Sequence, residues 1–569
     1  MVSHEAYEAA LRVAFSAAAS VAERHRNRLL NMPNVIDVRA GYKFSNGWIT
    51  DTPAVVVTVL RKDAPHTLGS SLLPTELDGV PVDVAAATPL QQLRHKSERT
   101  RAAIPAQIAD AQPPEELLEP GQTPTVGAST GDTRGVNNRQ YRPPTNLKLA
   151  AVTGPMTLLC HASPDSGWPT LQKFLGGTKK SLTVAMYDFG AKHIVAAILS
   201  AMKGAAGEFI LNLDRRSNPK RTGELTEEEV VQKFSSALRK RFVSSSAAVG
   251  VLYPNAYHIK VAVQDGKRLW ISSGNWQGSN QPHEDAAKLD ESGQRKLFSG
   301  HNREWHVVCD NSTLAALFEG FIKFDVAEAA RIGARAVAPP SLPDLVVPAS
   351  AEAEATRAAL RPVKVFPATP IRLTDRHKVQ PILTPDNYGE HVVPLILSAK
   401  KRLWFQNQYI KIPKVFPDGD GKPALKELAE ALLDRVNADI DVRIILRNGG
   451  DTRAMLQALK AFGVPDQCIK LLGGCHNKGI IVDNSAVLVS SQNYSADGVR
   501  FNRDAGLIIR NPDAVKYYAD IFDHDWTNRA TQRIAGEATG EMPLVREVAN
   551  EVGARSAAAT ISWEDFYGD

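Results

Sequence analysis

The chain contains the same pattern twice, and a fold built on a duplication has to bury both copies in the same way. The segments from about 147 to 335 and from about 369 to 530 share one layout. Each opens with an apolar strand, SLTVAMYDF in the first copy and RLWFQNQYI in the second. Each continues to another, EFILNLD and DVRIILR. In the first copy His258-Ile259-Lys260 is followed after four residues by Asp265, and after six more by Ser272-Ser273-Gly274-Asn275. In the second, His476-Asn477-Lys478 leads by the same steps to Asp483 and to Ser490-Ser491-Gln492-Asn493. Downstream, Asn302-Arg303-Glu304 is echoed by Asn502-Arg503-Asp504.

The spacing has a physical reading. Residues i and i+2 of a strand share a face, so His258 projects with Lys260 and His476 with Lys478. Asp265 and Asp483 fall between two apolar runs and suit hairpin turns, which makes them structural acids of the motif. On the returning strand Ser273 and Asn275 share a face, as do Ser491 and Asn493. Each hairpin therefore gathers an imidazole, an ammonium, a hydroxyl and an amide around one anion. Cleaving a phosphodiester needs a nucleophile in line with the leaving oxygen and an acid to protonate that oxygen. Two copies related by a pseudo-twofold axis supply one histidine from each side. Lys260 and Lys478, with Ser273, Ser491, Asn275 and Asn493, are the expected phosphate ligands. Glu304 and Asp504 are the expected carboxylates, either holding the imidazole tautomers or anchoring a loop.

The rest of the chain frames these repeats. At 569 residues it has room for two or three folded units. Residues 1–92 read as a small α+β accessory module: a helix, strands at VIDVRAGYKF and PAVVVTVLRK, and a third at LDGVPVDVAAA. This module is the expected site of docking to a protein partner or of self-association. Residues 93–146 and 336–368 are rich in Pro, Ala, Gly and charge and read as linkers, and 531–569 as a tail. The first helix carries Glu5, Glu8 and Arg12 where a signal peptide needs basic and then apolar residues, and no run of about 20 apolar residues occurs, so a cytoplasmic protein is expected. The four cysteines are scattered, which fits a reducing compartment. His306 and Cys309, or Cys475 and His476, lack a second ligand pair at metal-site spacing, so no metal and no cofactor are expected.

The doubled HxKxxxxD pattern, each followed by Ser-x-Asn, resembles the phospholipase D superfamily over about residues 147–530. Ser272 and Ser490 stand where that family usually has Gly. The resemblance implies an α/β fold of two pseudo-symmetric phospholipase D-like repeats sharing one active site. It also implies a phosphodiesterase that works without metal through a covalent phosphohistidine, by hydrolysis or by transfer to an alcohol. By resemblance His258 is the nucleophile and His476 the general acid; the residues alone leave that order open.

Substrate class rests on weaker signals. A net charge of +5, a pI near 8.8 and the basic run RRSNPKR at 215–221 favour nucleic acid, although such a run also serves as a plain surface loop. The segment Gln406-Asn407-Gln408-Tyr409-Ile410 resembles a strand found ahead of the second motif in phospholipases, which favours phospholipid head groups. Trp276, Trp305 and Tyr494, near the motifs, read as core residues before stacking platforms. A non-catalytic binder or sensor on the same fold would be expected to have lost a histidine or lysine, and both sets are intact.

Overall fold

The structure is a computed structural model that describes residues 4–45, 47–60, 73–87, 141–214, 223–247, 249, 252–253, 256–332, 345–348, 368–412, 425–438, 440–449, 452–534 and 558–561. The basic run at 215–221, most of the two linkers and most of the tail lie outside the described residues. Two compact units emerge, one holding the N-terminal module and the other the two repeats.

In the N-terminal unit the helix His4–Leu30 packs on a four-stranded sheet. Strands β1 (Val35–Ser45) and β2 (Trp48–Val59) form an antiparallel pair, and β2 pairs in parallel with β4 (Val80–Ala86), which also carries the short β3 (Glu76–Leu77). Val21, Leu29, Val38, Val55 and Val57 form its core. The helix Thr452–Phe462 belongs to this unit, although it lies inside the second repeat's stretch of sequence. The Gln457 amide explains the attachment: it accepts the Tyr42 N–H at 2.8 Å and donates to the Tyr42 carbonyl at 2.7 Å, extending the edge of the sheet. Arg453 pairs with Asp83, and Lys460 with Asp51.

The second unit is built on one fourteen-stranded sheet. The first repeat contributes β5 (Val152–Ser163), β6 (Leu182–Met186), β7 (Phe209–Leu213), β8 (Phe242–Ser246), β9 (Lys260–Gln264), β10 (Arg268–Ser272) and β11 (Glu304–Asp310). A two-stranded ribbon pairs β12 (Leu345–Pro348) with β20 (Ala558–Ile561). The second repeat contributes β13 (Ile371–Thr384), β14 (Arg402–Asn407), β15 (Asp441–Arg447), β16 (Ile469–Leu472), β17 (Lys478–Val482), β18 (Ala486–Ser490) and β19 (Asp504–Arg510). Sheet order runs β16-β15-β14-β17-β18-β19-β13 and then β5-β11-β10-β9-β6-β7-β8, so the second half mirrors the first about the β13–β5 seam. The seam strands precede the strands that the sequence reading took as the opening of each copy. They pair antiparallel from Ile371 with Cys160 to Val379 with Val152.

The halves also pack face to face, with β10 and β11 against β17, β18 and β19. Ile259, Val261, Trp305 and Val307 share one core with Ile481, Val489, Leu507 and Tyr518. Gly479 permits the close approach: a Cβ there would lie 2.2 Å from the Trp305 ring. Among the described residues no helix is long and apolar enough to cross a membrane.

Candidate functional site

Both motifs sit on hairpins, with one adjustment to the expected geometry. His258 and His476 each lie two residues ahead of the strands that begin at Lys260 and Lys478, and Ser273 and Ser491 follow immediately after β10 and β18 end. The residues of the motif thus cluster at the open mouth of each hairpin. At the far, turn end, Asp265 and Asp483 adopt left-handed φ of 56° and 50°. Their carboxylates accept successive backbone N–H groups, from Lys179, Lys180 and Ser181 in one repeat and from Lys400, Lys401 and Arg402 in the other. Each acid therefore ties its hairpin turn to the entry of the neighbouring strand, β6 or β14.

The imidazoles are held across the repeats. His258 Nδ1 lies 2.8 Å from Asp504 Oδ1, and His476 Nδ1 lies 2.5 Å from Glu304 Oε1. Glu304 opens β11, which packs against β17 and β18, and Asp504 opens β19, which packs against β9 and β10, so each repeat's carboxylate orients the other repeat's histidine. In both rings Nε2 becomes the edge turned away from the carboxylate. Burial pushes Glu304 upward, but the His476 and Lys478 charges and the Ser273 hydroxyl outweigh it and hold the carboxyl below its usual range. Burial lowers His476 to about 4; Glu304 opposes this, while Lys478 and Lys260 add to it.

The lysines are fully buried. Lys260 Nζ donates to the His258 carbonyl at 2.7 Å and sits 5.0 Å from the Tyr187 ring centre. Lys478 Nζ donates to the His476 carbonyl at 2.6 Å and to Gln408 Oε1 at 3.0 Å. Burial lowers Lys478 to about 8 despite Glu304 and Asp504. Burial drives Lys260 well below its ordinary value and the Lys478 charge adds to it, against Asp504, Glu304 and Asp188. Each lysine thus feels the other repeat's charges, in keeping with the crossed His258–Asp504 and His476–Glu304 pairs that bring the two motifs together. Beside them, Oδ1 of Asn275 and of Asn493 is buried without a hydrogen-bond partner among the described residues.

The serines depart from expectation. Ser273 Oγ donates to Glu304 Oε2 at 2.5 Å and accepts the Trp305 N–H at 3.0 Å. Ser491 Oγ donates to Asp504 Oδ1 at 2.6 Å and accepts the Ala505 N–H at 3.0 Å. Their hydroxyls hold the two carboxylates in place, in addition to the phosphate contact expected of them. Ser272 and Ser490 are likewise engaged, with His306 Nδ1 at 2.6 Å and with the Lys478 carbonyl at 2.9 Å. Trp276, Trp305 and Tyr494 are fully buried and present no face on which a base could stack.

Sequence reasoning missed the arginine clamps behind the carboxylates. Arg303 forks onto Asp525 at 2.8 and 3.1 Å and also pairs with Asp165; Arg503 forks onto Asp325 at 3.0 and 2.9 Å and meets Asp386 at 2.6 Å. Each arginine therefore joins one aspartate of its own repeat to one of the other. The signal was present as a further echo, Ser163-Pro164-Asp165 against Thr384-Pro385-Asp386.

Chemically, the arrangement gathers two buried imidazoles, each with Nδ1 against a carboxylate, together with two buried lysines and two buried amides. No group of three or more His, Cys, Asp or Glu among the described residues is arranged to hold a metal ion. Residues 392–526 match the family model described as cardiolipin synthase, PLD-like domain. No curated protein sequence matches the chain. Among solved structures, phosphatidylserine synthase of Haemophilus influenzae Rd KW20 is similar at 12% identity and a TM-score of 0.45, over 68% of this chain and 90% of that one. Nuc from Salmonella typhimurium, a phospholipase D family member, is similar at 22% identity and a TM-score of 0.22, over 27% and 97%. NucT from Helicobacter pylori is similar at 16% identity and a TM-score of 0.23, over 32% and 98%.

Proposed function

From the premise that the chain belongs to the phospholipase D superfamily, with its phospholipase D-like domain matched over residues 392–526, we propose that it cleaves phosphodiesters through a covalent phosphohistidine. The observation that carries this reading is the crossed pairing of the two histidines with Glu304 and Asp504. Nδ1–H donated to a carboxylate leaves Nε2 with the lone pair, the form a nucleophile needs. His258 Nε2 attacks phosphorus and a P–N bond forms as the bond to the leaving oxygen breaks. His476 gives its Nε2 proton to that oxygen. Water then attacks phosphorus, His476 takes the water's proton, and the P–N bond breaks to return His258. Lys260, Lys478, Asn275 and Asn493 hold the non-bridging oxygens, and loss of one such contact costs about 3–4 kcal/mol of transition-state stabilisation. Ser273 and Ser491 position the carboxylates.

The substrate is nucleic acid on this reading, supported by the formal charge of +5. A second reading, hydrolysis or transfer at a phospholipid head group, is favoured by the matched model's description as a cardiolipin synthase domain. Purified protein incubated in EDTA with single-stranded DNA, duplex DNA, RNA and phosphatidylcholine vesicles separates them. Cleavage of a nucleic acid alone is expected; release of choline alone establishes the lipid reading. A strict metal requirement overturns the mechanism, and cleavage of none of the four supports a binder on the same fold.

A further inference from the structure

The loop that follows the first motif reaches into the second motif's half of the site. Asn280, buried at 1% exposure, places Nδ2 2.7 Å from Glu304 Oε1 and 3.3 Å from His476 Nδ1. Its amide orientation is set by two donors on the opposite side, where Oδ1 accepts from Ser279 Oγ at 2.7 Å and from Asn302 Nδ2 at 3.3 Å. Asn302 is thus the first member of the Asn-Arg-acid echo, and the Ser279 carbonyl accepts its backbone N–H at 2.8 Å. Glu304 Oε1 consequently receives two donors, the His476 ring and the Asn280 amide, while Oε2 is taken by Ser273. A carboxylate pinned at both oxygens cannot rotate, and the imidazole hydrogen-bonded to it inherits that fixed angle.

We infer that Asn280 is a positioning residue for His476, aiming its Nε2 proton at the leaving oxygen through Glu304. The inference rests on the proposed reading of His476 as the general acid. Proton delivery matters in proportion to how poor the leaving group is, because an alkoxide needs the proton in the transition state and a nitrophenolate does not. A residue that aims the acid is therefore revealed by substrate choice, whereas a residue that only supports the fold affects every substrate alike.

The test measures kcat/KM of the full chain on bis(4-nitrophenyl) phosphate and on methyl 4-nitrobenzyl phosphate, a diester with poor leaving groups. Asn280→Leu removes the donor and keeps the volume; it is expected to lose about tenfold more on the poor-leaving-group diester than on the nitrophenyl diester. Asn280→Ala carries the same test should the leucine variant fail to fold. Equal losses on both probes, or no loss, overturn the role of Asn280 provided that His476→Ala shows the leaving-group dependence. If His476→Ala itself shows none, the reading of His476 as the acid falls first and takes this inference with it.

Discussion

Lys260 and Lys478 are buried lysines whose acidic neighbours Glu304 and Asp504 are already engaged by histidines and serines. Burial leaves Lys478 at about 8, and Lys260 is well below its ordinary value. A bound phosphodiester brings negative charge between them and raises both, so the complex holds more protons than the free protein. The sign follows from linkage: with the free value near 8 and the bound value higher, affinity is greatest below about pH 8 and falls as pH rises through that window. Calorimetric titration with inorganic phosphate at pH 8.5, in two buffers of different ionisation enthalpy, is expected to show net proton uptake. Proton release, or affinity that rises between pH 8 and 9, would contradict the electrostatics described. Burial lowers His476 to about 4, and a bound anion is expected to raise it by offsetting the Lys478 and Lys260 charges that add to that lowering.

At the scale of elements, the site depends on how β11 and β19 are anchored, and the arginine clamps perform that anchoring. Arg303→Ala leaves Asp165 buried without its guanidinium and Asp525 with Arg529 alone, a loss of about 3–5 kcal/mol. Arg303→Lys is expected to recover only part of it, because an ammonium cannot fork onto Asp525. Urea unfolding of the two variants checks this, and an unchanged midpoint for Arg303→Ala would show the clamp to be without weight. These elements also mark what the sequence made legible. The motif hairpins were readable because strand periodicity and turn residues are local. The seam strands β5 and β13 were not, because Pro155 and the charged run Asp375-Arg376-His377-Lys378 hide their strand character; their stability comes from pairing with each other. Crossing of the histidine–carboxylate pairs was equally hidden, since a repeat shows that two copies exist but not which copy's acid faces which copy's base. The contacts of Ser273 and Ser491 with the carboxylates were hidden for a related reason: a hydroxyl's partner depends on β11 and β19, distant in sequence.

Taken whole, the repeat unit is a duplicated seven-strand layout joined at one seam and closed on itself face to face. Gly479 against Trp305 sets the closeness of that contact, and the crossed carboxylates, clamps and Asn280 all bridge from one copy to the other. Neither copy contains a complete site: each histidine is oriented from across the interface. On the proposed mechanism the two imidazoles take different tasks at one phosphorus, and the duplication yields one centre per chain. Mapping the phosphoryl adduct formed on rapid quench with bis(4-nitrophenyl) phosphate tests that assignment directly. One adduct per chain is predicted, on the peptide that contains His258, accumulating in His476→Ala and absent from His258→Ala. Adducts on both His258 and His476, with each single variant keeping half of the turnover, would mean two independent sites and contradict the account.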